Sequence, residues 1–481
     1  MSKNKQLVRA TVLFSVLSIL QPLANFLLLP VYTSYFGPEN YGLLSILNNI
    51  SAFFSILSGL NIASSVIAFY KNYKTEEELN RFISSIISFS FYTNLAILLI
   101  FCIWADGFSG LMFYQKVDFY PNVFYAVFFG LFSNVGLAYF SFLKYQKKLL
   151  KFAILTLIQF SAILILQFLF IVMFNRGLTG ALEAKAITTL IIMLVVFYLL
   201  RNRIFGPIPF KADIYPQLMY AIAIVPAAFV GWMGAYSDRT IIERFVHDNM
   251  LTLGQYSMVA TVCALIDIGI IALHSAFQPY VFDAFEENNK RQTTSFYKMF
   301  LAASILIVAG LVLVGSNMQF MVKDKVLSAS LRMVPLMGSG YIFSGLATVF
   351  GLRITYSQKA SYYLYVYCSS VAVNLLLNLV LISSMGIYGI IVAGVVSKFF
   401  MCIMMIYFSE KCQPSNSWKN LLLIAIISFC IIAATWLLYY NGFTSLIVAV
   451  VLQMLGNGLL ILSFIKPSSI WGLFIKNTSI E

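Results

Sequence analysis

The chain has 481 residues, 60% of them hydrophobic and only 10% charged, with a net charge of +13. A chain this apolar cannot present a polar surface to water, so a soluble fold is excluded and the solvent is lipid. The basic excess leaves an anionic partner or nucleic acid open until its distribution along the chain is read.

Apolar runs of about 20 residues, each able to cross a hydrocarbon core of ~30 Å, predict fourteen spanning helices. The first, 8–34, is too long for a signal-peptide core and lacks a small-residue cleavage site. It carries Gln21, Pro22, Asn25 and Pro30, and the second, 41–69, carries Asn48, Asn49 and Asn61. Spans at 82–104, 121–143 and 152–174 follow, then 178–200 with Glu183 and Lys185 near its start. The seventh, 214–236, contains Pro226 and leads into Asp238, Arg239, His247 and Asp248. The eighth, 253–275, has Asp267 at mid-span and His274 near its end. After 299–321 and 333–352, the run 362–383 sets Asn374 and Asn378 on one helical face, and 387–408 holds Lys398 almost at its centre. Spans 421–440 and 444–465 complete the set.

Lysine and arginine in the connections orient these spans. The N-terminal tail and every second connection hold 22 of the 31 basic residues, among them Lys3, Lys74, Arg81, Lys148, Arg203 and Arg353. The opposite connections hold seven, including Lys116, Arg176, Arg239 and Arg332. Both termini are therefore expected in the cytoplasm. The basic excess is mostly topological, and no nucleic-acid partner is expected. Six scattered cysteines read as small core residues, and two histidines cannot build a multi-histidine metal site, so no metal or cofactor is expected.

Two signals recur at nearly constant offset. Tyr41 in "ENYGLLSI" and Tyr256 in "LGQYSMVA" are 215 residues apart, and "AFYKNYKTEEELNRF" and "AFEENNKRQTTSFYK" are charged connections offset by 216. "GLTGALEA" (177–184) answers to "GIYGIIVA" (386–393) at 209. A repeat of six spans is even, so the halves are related in parallel about an axis along the membrane normal. The expected architecture is an all-α integral membrane protein: a six-helix lobe over 1–203, a second over 204–412, a cavity between them, and two added helices over 413–481.

Four stretches carry a family resemblance: "FGPENYGLLS" (36–45), "SDRTIIERFVHDNMLTLGQYSMV" (237–259), "QPYVFDAFEE" (278–287) and "NLLLNLVLISSMGIYGIIVA" (374–393). With the span count, they resemble the polysaccharide (O-antigen type) flippases of the multidrug/oligosaccharidyl-lipid/polysaccharide exporter superfamily. The resemblance implies inward- and outward-open states, a central cavity lined chiefly by helices 1, 2, 7 and 8, and a lipid-diphosphate-linked oligosaccharide as substrate.

Lys398 stands about 15 Å of helix from the inner end of its span, beyond the reach of a snorkelling lysine stem. Its insertion costs about 2.5–3.5 kcal/mol, which a hydrated cavity, a polar neighbour such as Asn374, or an anionic ligand would offset. A lysine packed against Asn374 is the structural alternative. Asp267 carries a similar penalty and is a coupling candidate for protons or sodium, or else a buried hydrogen-bonding group. Glu183 and Lys185, two apart, cannot face each other on a helix; each needs its own partner, and solvation at the interface is the expectation. Asp238 and Arg239 are gate candidates, or a charged pair fixing a helix end. Asn25, Asn48 and Asn49 suit sugar hydroxyls, and Lys398 and Arg239 suit a diphosphate. Pro22, Pro30 and Pro226 mark expected bends.

Three functions compete. A flippase would move undecaprenyl-diphosphate-linked oligosaccharide across the bacterial cytoplasmic membrane for O-antigen or capsule assembly, beside a polymerase and a chain-length regulator. A multidrug or cation antiporter of the same fold needs midplane carboxylates, and only Asp267 qualifies. A membrane-embedded polymerase needs paired carboxylates and a substantial external loop, which the sequence does not offer.

Overall fold

The computed structural model describes residues 17, 20, 23–105, 107, 119–146, 148–201, 214–246, 248–357, 359–412, 414, 418–443 and 445–464. Gln21, Pro22, His247 and, of the cations named above, Lys3, Lys116 and Arg203 lie outside them. Among the described residues there is no strand, and thirteen helices are long and apolar enough to cross a membrane. The fourteenth predicted span, 8–34, lies largely outside the described residues; its described end includes α1 (Leu29–Tyr35). Contacts divide the chain into two compact units, Met1–Gly254 and Gln255–Glu481.

The first unit contains α2 (Gly37–Leu57), α3 (Ser65–Phe69), α4 (Glu76–Ile103), α5 (Phe124–Tyr145), α6 (Leu149–Phe168), α7 (Gly177–Leu199) and α8 (Tyr215–Phe245). Pro38 opens α2 at a position where its missing N–H costs nothing. At the start of α4 the Thr75 hydroxyl accepts from the Glu78 N–H at 3.1 Å, and the Glu78 carboxylate accepts from the Thr75 N–H at 3.2 Å. That reciprocal pair satisfies donors the helix cannot. Gly130 brings α5 so close to α2 that an added Cβ would strike the Ser51 carbonyl, and the Ser51 hydroxyl donates to the Ala126 carbonyl at 2.9 Å. Small residues of this kind let membrane helices touch backbone to backbone.

The second span breaks where no proline stands. Gly59, Leu60 and Asn61 take left-handed backbone angles, with φ of 55°, 51° and 62°, inside a 3-10 segment over Ser58–Ser64. A broken helix in hydrocarbon must have its freed polar groups satisfied by protein. Asn94 of α4, fully buried, does this: its side-chain oxygen accepts from the Gly59 N–H at 2.7 Å. Its amide nitrogen donates to the Ser58 hydroxyl at 3.0 Å and to the Leu131 carbonyl at 2.7 Å. By contrast α8 runs helically through Pro226.

The second unit contains α9 (Asn249–Glu286, whose first turn belongs to the first unit), α10 (Lys290–Ser316), α11 (Lys325–Ser330), α12 (Val334–Ser339), α13 (Tyr341–Tyr356), α14 (Ala360–Met385), α15 (Ile387–Cys412), α16 (Trp418–Tyr440) and α17 (Leu446–Phe464). Gly386, with φ of 55°, turns α14 back into α15. Arg353 of α13, counted among the loop cations from sequence, is buried and paired with Glu410 of α15 at 3.0 Å. α16 and α17 are seated by polar contacts: Trp436 donates to the Gln453 side chain, and Gln453 donates to the Ala309 carbonyl of α10 at 2.8 Å.

The sequence repeat divides the chain at 203, whereas contact extends the first unit through 254 because α8 packs on α2 and its break. The two divisions describe different things: the first compares sequence halves, the second records which helices touch.

Candidate functional site

In the first unit the polar residues converge on one turn of α2. Asn48 accepts at 2.6 Å from the Lys185 ammonium of α7, whose other neighbour is the Phe129 ring at 5.9 Å. Lys185 is only 7% exposed, so the expected solvation at the interface does not hold for it. The reason is packing: α7 lies against α5, so close at Gly136 that an added Cβ would strike the Ile192 side chain, and Lys185 is enclosed there. Among the described residues no carboxylate forms an ion pair with Lys185. Glu183 pairs with Arg176 instead.

Arg239 reaches the same turn from α8. Its Nε donates to the Ser45 hydroxyl at 2.7 Å and its Nη1 to the Ala235 carbonyl at 3.0 Å. Asp238 precedes it, about two turns before the end of α8. Asn49 is 4% exposed. Its amide nitrogen donates to the Thr240 hydroxyl at 3.3 Å, its backbone carbonyl accepts from the Trp232 indole at 3.2 Å, and its side-chain oxygen has no hydrogen-bond partner. One turn further along α2, Phe53 meets Trp232 at 5.3 Å between ring centroids, and Phe229 stacks on Trp232 at 5.4 Å. Guanidinium and ammonium groups complement phosphate oxygens, an amide complements hydroxyls, and an indole offers a sugar an apolar face.

In the second unit Lys398 sits near the centre of α15, with its ammonium 4.7 Å from the Tyr341 ring. A break at Gly340 starts α13 at Tyr341 and sets that ring in place. The expected contact with Asn374 is not what the structure places there: Asn374 accepts from Asn378 at 3.1 Å, both buried. Two amides four residues apart on one helical face meet within their own helix. The partner Lys398 does find in charge is Asp267. The two share no direct ion pair, yet the Asp267 carboxylate and the Cys263 thiol lie within the field of the Lys398 ammonium, and Tyr367 lies within that of Asp267. Asp267 is solvent-accessible on α9 although it lies mid-helix.

The predicted residues therefore fall into separate groups, each described within its own unit. Arg239, Asn48 and Asn49 come together on α2; Lys398 and Asp267 come together on the second unit; Asn25 is exposed on the short stretch before α1 and joins neither. Lys185, Thr240, Trp232, Tyr341 and Tyr367 were not anticipated. For Thr240 and Trp232 the signal was available: they lie next to Arg239 and two turns before it, so they share one helix with a residue already chosen. Among the described residues no three His, Cys, Asp or Glu side chains gather to hold a metal.

A family model described as polysaccharide biosynthesis protein matches residues 7–285. Among solved structures, the chain is similar to the lipid II flippase MurJ in an inward-closed conformation, at 13% identity and a TM-score of 0.67, over 94% of this chain and 98% of that one. It is also similar to the Vibrio cholerae MATE transporter VcmN, at 16% identity and 0.57, over 86% and 98%. A MOP-superfamily transporter from Pyrococcus furiosus matches at 13% identity and 0.56, over 84% and 94%. No curated protein sequence matches the chain. At such identities these likenesses show the fold alone, that of a helical multi-pass membrane protein.

Proposed function

The chain belongs to the polysaccharide biosynthesis protein family, and on that premise we propose that it is a flippase for lipid-diphosphate-linked oligosaccharide. The lipid would be undecaprenyl diphosphate, the membrane the bacterial cytoplasmic membrane with both chain termini inside, and the product O-antigen or capsule. The observation that carries this reading is positive charge held in membrane spans by neutral partners. Lys185 rests on an amide and Lys398 on a phenol ring, and among the described residues neither forms an ion pair with a carboxylate. Lys185, 7% exposed, is costly left so unless an anion completes it, whereas half-buried Lys398 already stands near Asp267. A diphosphate would complete it, and a cationic drug would not.

In this mechanism the isoprenyl tail stays in lipid while the headgroup is taken up from one side of the membrane and released to the other by alternating access. Arg239 in the first unit and Lys398 in the second are each candidates to meet the diphosphate, and Asn25, Asn48 and Asn49 would offer amides to sugar hydroxyls. Asp267 would take up a proton or sodium ion as the lobes rearrange, since it stands beside Lys398 without contacting it. No bond is made or broken, so no catalytic residue is required. Polymerase and chain-length regulator would act on the product.

The accessible carboxylate of Asp267 gives some support to a cation antiporter, and one strain set separates the two. A deletion strain should accumulate undecaprenyl-diphosphate-linked repeat units and lose surface glycan. Lys398→Ala and Arg239→Ala should insert normally yet restore little of it. Normal surface glycan in the deletion strain, together with lost efflux of a cationic dye, would replace the flippase by the antiporter.

A further inference from the structure

A cavity of ≈ 650 Å³ opens in the first unit between α4, the end of α3 and the start of α8, at the end that the charge bias assigns to the cytoplasm. It takes no part in the translocation reading above. From this cavity we propose a binding site for the phosphodiester headgroup of a membrane lipid, one that also carries a hydroxyl or ammonium donor.

Three features define the ligand. Arg81 lines the cavity and is exposed; among the described residues no hydrogen bond or ion pair engages it. Its only nearby carboxylate on the cavity wall, Glu78, is committed to closing the first turn of α4 through the Thr75 and Lys74 N–H groups. A guanidinium in that position is available to phosphate oxygens, which it engages two at a time. Opposite it, Gln217 is 4% exposed. It donates to the Tyr73 hydroxyl at 3.0 Å, and its carbonyl oxygen has no partner. A buried acceptor left open in this way calls for a donor, which the second group of such a headgroup supplies.

The third feature is the wall. The Tyr73 and Phe82 rings stack at 4.5 Å, and Phe69, Ile86 and Ile214 continue the apolar surface away from the polar end. The α4 wall of the cavity runs from Glu78 to Ile86, about 12 Å of rise, of which about 7.5 Å lies beyond Arg81. The surface is therefore long enough to receive the first segment of an acyl chain while the headgroup stays at the Arg81 end. A free phosphate would use only one of the three features, and a neutral diglyceride only another. The lipid phosphodiester uses all of them.

The test is native mass spectrometry of the full-length protein in detergent, titrated with dioleoylphosphatidylglycerol. Dioleoylglycerol and inorganic phosphate serve as the separate arms. The wild type should retain one phosphatidylglycerol. Arg81→Gln should weaken retention about tenfold, as expected for one lost charge-assisted contact, and Arg81→Lys should restore part of it. Ser85→Phe, which fills the cavity without touching a charge, should abolish retention while the melting temperature stays within that of the wild type. Equal retention by wild type, Arg81→Gln and Ser85→Phe would overturn the proposal. So would retention of dioleoylglycerol as strong as that of the phospholipid, or binding of inorganic phosphate alone.

Discussion

Replacing Asn94 by leucine tests what holds the broken second span. Leucine matches asparagine in heavy-atom count and branching but is bulkier, so no cavity opens and any overpacking adds to the loss of the hydrogen bonds. Asn94 makes three of them, to the Gly59 N–H, the Ser58 hydroxyl and the Leu131 carbonyl. Two of the partners survive the loss, because Ser58 itself donates to the Leu131 carbonyl at 2.5 Å. The Gly59 N–H does not; it is left buried with no acceptor, at a cost of about 1–3 kcal/mol. Side-chain bonds inside membranes average about 0.6 kcal/mol each, so the total loss should be roughly 2–4 kcal/mol. Reversible unfolding in mixed micelles, followed by circular dichroism, measures it. A change below about 0.5 kcal/mol would refute the reasoning, since that is the size of an indifferent surface substitution. The break would then be held by the packing of α8 and not by the amide.

Arg353→Met should cost about 3–5 kcal/mol in the same assay, because it strands Glu410 beside α13 without its cation; the double change Arg353→Met, Glu410→Leu should recover most of the loss. Asp267→Asn should leave stability within about 0.5 kcal/mol, as an accessible side chain without a hydrogen bond has little to lose. Surface-glycan export should, however, lose its dependence on the proton or sodium gradient, and export that keeps that dependence would remove Asp267 from the coupling step.

Periodicity and length placed the spans well because a helix that must cross hydrocarbon announces itself as a run of apolar residues, wherever it packs. Partners are another matter. Lys185 stands near the start of an apolar run and reads as an interfacial residue; its burial depends on the packing of α7 against α5, a tertiary fact. Asn374 and Asn378 share a face four residues apart, so the local bond between them was open to prediction, and it forestalls the longer reach to Lys398. Proline drew attention to Pro226, which α8 accommodates, while the actual break at Gly59, Leu60 and Asn61 needs Asn94, some thirty residues on, to make it affordable. Lys398 and Asp267 were each conspicuous as a charge in an apolar run; that they stand within each other's field required four helices to be in place.

The seat of Gln453 on the Ala309 carbonyl has a practical use. α17 is fastened to α10 by a buried amide while Leu459 and Leu462 on its outer side stay exposed. A spin label at Leu459 would thus ride with the second unit as on a fixed mast, clear of every residue assigned a role in transport. Distances from that label to one in the first unit would record whether the two units move as the proposed alternating access requires.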